Sequence, residues 1–107
     1  MGTNYFAISK QPRVHDRMVH LGKASGGWRF LFHETDDIKT YPQFVQWLEK
    51  NITEKGEYVL MNEYEEEVAV EELLELIQSM QGEDNPRNFS NARDVDGYRF
   101  SIHQVFM

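Results

Sequence analysis

The segment His20-Leu-Gly-Lys-Ala-Ser-Gly-Gly-Trp28 gathers three glycines, a lysine, a serine, a histidine and an indole into nine positions. Core packing alone does not ask for that mixture. Glycines let a backbone turn at positive φ or approach a ligand closely, His20, Lys23 and Ser25 supply donors, and Trp28 supplies a flat apolar wall. The chemistry this suits is capture of a small nucleotide-like anion, with glycine amides and Lys23 meeting phosphate and Trp28 stacking on a ring. Asn4, Arg29 and Arg99 add an amide and two cations. The candidate ligand site is therefore Asn4, His20, Gly22, Lys23, Ser25, Gly26, Trp28, Arg29 and Arg99. A tight structural hairpin is the competing reading of the same glycines.

Other chemistries fit less well. A phosphate loop of the Walker type needs a glycine where Arg17 stands and a serine or threonine where Ala24 stands. His15, His20, His33 and His103 are the candidate metal ligands, but His15 and His20 differ by an odd offset and would face opposite sides of one strand. Ser25 and His20 lack the Gly-x-Ser-x-Gly elbow that would aim a nucleophile. Glu65, Glu66 and Glu67 read as solvated carboxylates with no reason for a raised pKa. The expectation is a binding protein rather than an enzyme, with no metal and no cofactor.

The chain has 107 residues, 40% of them hydrophobic, which predicts a single α+β domain over 1–107 with a small core. It has no cysteine, so disulfides and thiolate chemistry are excluded. No stretch is apolar enough to span a bilayer, and Met1 to Ile8 has neither a basic start nor an apolar signal core, which together predict a soluble protein of the cytoplasm. The net charge of −7 is unevenly spread. Residues 1–30 carry five cations against Asp16, or +4, whereas residues 51–86 carry ten glutamates and Asp84 against Lys55, or −10. Such an acidic field disfavours nucleic acid and favours a basic protein partner. Glu63, Glu66, Glu67, Glu71 and Glu75 are the candidate partner-binding residues, and self-association is a further candidate role.

The elements that must position these groups follow from periodicity. Thr3–Ile8, Met18–Leu21 and Trp28–His33 read as strands, with Trp28, Phe30 and Phe32 on one face and Lys23 to Gly27 as the hairpin loop before the third. Thr40 caps a first helix whose apolar stripe is Phe44, Val45, Trp47 and Leu48, stopped by Asn51 and Gly56. Glu57–Met61 and Glu66–Val68 suggest a hairpin or a strand and turn. A second helix starts near Val70, aligns Leu73, Leu74, Ile77 and Met80, and ends at Gly82. Glu83–Ala92 reads as a loop, and Asp94–Gly97 turns into a last strand, Tyr98–Ile102. The predicted architecture is a mostly antiparallel sheet of four to five strands packed with two helices.

Met-Gly-Thr-Asn-Tyr at the start, His20 to Trp28, Glu63-Tyr64 and Asp96-Gly-Tyr-Arg-Phe-Ser101 resemble, in order and spacing, a family of small uncharacterised bacteriophage proteins that begin MGTNYY and carry HIGKSSGGW. The resemblance implies a phage origin and residence in the host cytoplasm, and it names no activity. His20, Gly22, Lys23, Ser25, Gly26 and Trp28 match the family phrase. Many relatives carry Cys-x-x-Cys before it, where this chain has Gln11 to Arg17 without cysteine. The resulting expectation is a phage accessory protein, such as a counter-defence protein that sequesters a host nucleotide. The alternatives are an acidic inhibitor of a basic host protein and an assembly protein.

Overall fold

The computed structural model describes residues 2–10, 18–26, 28–82 and 92–101. His15 and His103, and all of the expected Glu83–Ala92 loop except Ala92, lie outside that set. The chain runs β1 (Gly2–Ser9), β2 (Met18–Ser25), β3 (Leu31–Phe32), α1 (Tyr41–Leu48), a π-helical turn (Glu49–Glu54), β4 (Tyr58–Asn62), α2 (Val70–Ser79), β5 (Ala92–Val95) and β6 (Tyr98–Ser101). The six strands form one sheet in the order β4-β1-β2-β3-β6-β5. Every pairing is antiparallel except β3 with β6. The α+β class holds, and the sheet has one strand more than the upper expectation.

The extra strand is β5. Ala92–Val95 contains Arg93 and Asp94 and has no apolar alternation, so periodicity cannot reveal it. Its position comes from the two-residue turn at Asp96 and Gly97, with φ of 54° and 89°, which folds it back on β6. The residues after β4 form a lesser pairing, a single bridge from Met61 to Glu67, supported by the Val68 amide donating to the Leu60 carbonyl at 2.9 Å.

One face of the sheet carries the helices. Ala7, Leu21, Leu60 and Phe100 from the strands, with Phe30, pack against Phe44 and Leu48 of α1 and Val70, Leu73 and Ile77 of α2 in a single buried cluster. Phe32 is its centre, stacked on Phe100 at 4.8 Å and edge-on to Phe30 and Phe44 at 4.9 and 4.8 Å. The expected cap of α1 is present, Thr40 Oγ1 accepting from the Gln43 amide at 3.3 Å. Asn51 does not stop the helix. The chain widens there into the π-helical turn and leaves only after Glu54.

Two expectations about the glycine-rich segment change. Lys23, Ala24 and Ser25 belong to β2 and pair with β1, so the turn is shorter than Lys23–Gly27 and lies beyond Ser25. Trp28 does not share a face with Phe30 and Phe32, because the third strand is regular only at Leu31–Phe32 and alternation does not extend back to Trp28. Its indole instead meets Arg99 on the opposite face.

Gly22 is buried on the core side, where a Cβ would lie against the Phe30 ring and 2.5 Å from the Leu31 carbonyl oxygen. Replacing it should force Phe30 off its seat. Gly22→Ala is expected to lose about 1–3 kcal/mol, read as a fall of several degrees in the thermal unfolding midpoint. An unchanged midpoint would refute this packing role.

Candidate functional site

Between Tyr5 and Phe6 the β1–β2 register shifts, because Leu21 is an extra residue in β2. Tyr5 faces Gly22 while Phe6 faces His20, so a β-bulge lies between them. Strict alternation would send His20 and Lys23, three residues apart, to opposite faces. The bulge brings both to the face away from the helices.

That face carries a cross-sheet row in which Asn4, Lys23, Leu31, Arg99 and Asp94 are successive register partners. Beside it run Met61, Phe6 and His20. Phe6 stacks on His20 at 4.8 Å, and His20 meets His33 at 5.1 Å. His20 Nε2 lies 2.9 Å from Asn4 Oδ1. Asn4 in turn donates from its backbone amide and Nδ2 to Glu63 Oε1 at 2.7 and 3.0 Å. Because the Asn4 amide nitrogen is committed to Glu63, its oxygen faces the imidazole and His20 donates from Nε2.

Those contacts decide the charges. Burial, then the neighbouring His33 and Lys23, lower the His20 pKa to about 4 against the opposing hydrogen bond with the Gly22 backbone. Burial lowers His33 as well. The two Asn4 donors hold the Glu63 carboxyl below its ordinary range, with Lys23 acting in the same direction. At neutral pH the arrangement is an anionic Glu63 beside a neutral imidazole pair.

A second set lies two strands away. The Arg99 guanidinium sits 5.0 Å from the Trp28 ring centroid and donates to the Arg29 carbonyl at 3.3 Å. Arg29 pairs with Asp94 at 2.9 Å and donates to the Gly97 carbonyl. These contacts tie the β5–β6 hairpin to the segment before β3. Lys23 and Arg99 are two strand spacings apart on the row, or about 10 Å.

The expected ligand set is therefore divided. Asn4, His20 and Lys23 converge, with Glu63 joining them. Trp28, Arg29 and Arg99 form a separate group with Asp94, Gly22 faces the core, and Ser25 and Gly26 lie at the far end of β2. Ser25 is five residues from His20 along the strand, about 16 Å, so these two do not form a nucleophile–base pair. Among the described residues, no three histidines or carboxylates gather as a metal site.

The acidic candidates are exposed, but they too divide. A groove of about 560 Å³ is lined by Glu66, Glu67 and Glu72, with Val68, Leu73, Leu76, Asn62 and Tyr5. Glu71 and Glu75, like Glu63, stand outside it. Glu72 and Tyr5 are members the sequence reading missed. The signal for Glu72 is its place four residues before Leu76, on the same side of α2. Burial, then the charge of Glu72, raises the Tyr5 pKa. Asn62 shapes the rim, its side-chain oxygen accepting from the Tyr64 and Glu66 amides and its Nδ2 donating to Glu66 Oε1 at 2.8 Å.

A second groove, about 390 Å³, runs along α1 and the π-helical turn. Neither groove includes the His20–Trp28 segment. The molecule is an α+β protein with a helix-covered sheet face, a second face bearing a neutral histidine pair, and two polar grooves beside its helices. Comparison with protein-family models, curated proteins and solved structures finds no match to this chain.

The folded chain resists protonating His20, so acid favours the unfolded state as pH falls from about 6.5, the unfolded value, towards 4. Above that window His20 contributes no slope. We expect the denaturation midpoint to fall through this range and His20→Asn to make the fall shallower between pH 6.5 and 5. An equal slope in both proteins would show that His20 is not the group responsible.

Proposed function

We infer that this chain is a phage accessory protein that acts by binding, and that its partner is a basic, amphipathic segment of a host protein. The observation that carries this reading is the groove in which Glu66, Glu67 and Glu72 stand over Val68, Leu73 and Leu76. A segment alternating cations with apolar side chains would match both the charged rim and the apolar wall. The −10 charge of residues 51–86 would steer such a segment from a distance. The phage setting and the host cytoplasm rest on the sequence resemblance, and binding without turnover rests on the character of the groove.

The glycine-rich segment supports nucleotide capture less well. Arg29 is engaged by Asp94 and the Gly97 carbonyl, Arg99 already covers the Trp28 ring, and Lys23 stands beside Glu63. A ligand there would have to displace these contacts. In the acidic groove the Asn62 Nδ2 bond engages only one oxygen of Glu66.

The test uses a labelled amphipathic peptide alternating lysine and leucine. Its affinity should fall as salt rises, and the triple reversal Glu66→Lys, Glu67→Lys, Glu72→Lys should weaken it by about tenfold or more. Lys23→Ala should leave it unchanged. Retained binding by the triple variant would overturn the assignment, and loss on Lys23→Ala alone would move the site to the other face.

A further inference from the structure

We propose that the groove along α1 and the π-helical turn is a binding site for a phosphate monoester that carries an aromatic ring. This site is separate from the acidic groove and does not depend on it. Its volume, about 390 Å³, suits a small ligand. The wall has a polarity set by the chain. Asp37 stands before the first turn of α1, Gln43, Gln46 and Trp47 lie along the helix, and Lys50, Asn51 and Lys55 follow at its far end.

The π-helical turn makes the cationic end. In an α-helix, residues five apart point about 140° away from each other. In the wider turn the Lys55 amide donates to the Lys50 carbonyl at 3.0 Å, which sets the two residues one above the other. Both lysines consequently line one groove. Neither is in an ion pair with a described residue, in contrast to Arg29. Two lysines that line one groove, neither ion-paired with a described residue, are a match for a dianionic phosphate.

The remainder of the wall suits the body of the ligand. Trp47 packs on Tyr58 at 5.2 Å and also lines the groove, so its position is set from behind while it presents apolar surface to a ring. Gln46, Gln43 Nε2 and Asn51 Oδ1 face polar ring edges, while Gln43 Oε1 accepts from the Lys39 amide and Asn51 Nδ2 donates to the Trp47 carbonyl, which fixes both side chains. Asp37 repels phosphate from the opposite end and accepts from ligand hydroxyl or amino groups. The charge gradient fixes the direction of the ligand, with phosphate at Lys50 and Lys55.

Adenosine monophosphate, adenosine and inorganic phosphate are suitable probes, followed by NMR at the Trp47 indole N–H and the side-chain amides of Gln43, Gln46 and Asn51. Saturable shifts are expected with the monophosphate, at about tenfold tighter affinity than with either fragment. Lys50→Gln with Lys55→Gln should weaken that binding by about tenfold or more at an unchanged unfolding midpoint. No saturable shift with any probe would overturn the site, and equal affinity for the monophosphate and inorganic phosphate would overturn the ring. A double variant with a lowered midpoint but unaltered affinity would also overturn it, by confining the lysines to a role at the helix end. The acidic-groove triple variant should bind adenosine monophosphate as the wild type does, which keeps the two readings distinguishable.

Discussion

The contact between Phe30 and Gly22 is the constraint on which the sheet depends. Phe30 occupies the space that a Cβ at Gly22 would need, and from there it reaches Phe32 and Phe44 at the centre of the core. Leu21, the extra residue of the bulge beside it, is buried in the same cluster. A close-packed interior leaves little room for either group to move. The bulge, the seating of β3 and the direction of β2 beyond Leu21 are therefore set together.

That local solution determines what each face can do. On the core side the glycine that looked like a ligand cradle is consumed by packing. On the other side the bulge brings His20 and Lys23 into one neighbourhood with Asn4 and Glu63. Burial keeps both imidazoles neutral, so this face presents hydrogen-bonding and aromatic surface rather than a cluster of positive charge. The basic amino-terminal composition thus overstates the charge available there, since Arg29 is paired with Asp94 and donates to the Gly97 carbonyl, which ties it to the β5–β6 hairpin.

Further charge lies beside the helices. Glutamates line a groove beside α2 and lysines line one along α1, each next to apolar side chains. Both depend on backbone placement. The Asn62 side chain organises the acidic rim by capping the amides of the turn after β4, and the departure from α-helical winding after Leu48 aligns the two lysines. A chain of this size buries one face of one sheet, and its surface chemistry gathers where a helix edge leaves a concavity.

Much of the architecture was legible in residue types alone. The helix over Tyr41–Leu48 follows from Thr40 and the spacing of Phe44 and Leu48, the second from Val70, Leu73 and Ile77, and the α+β class from their order among the β-prone runs. These are local signals, because capping and a period of 3.6 depend on near neighbours in sequence. Tertiary structure decided what involves residues far apart in sequence: the parallel β3–β6 pairing, the charged strand β5, the seat of Phe30 over Gly22, and the committed state of the arginines. It also decided which candidates meet. Alternation assigns faces only while a strand is regular, and a single inserted residue at Leu21, favoured by packing against the core, changes which side chains share a surface.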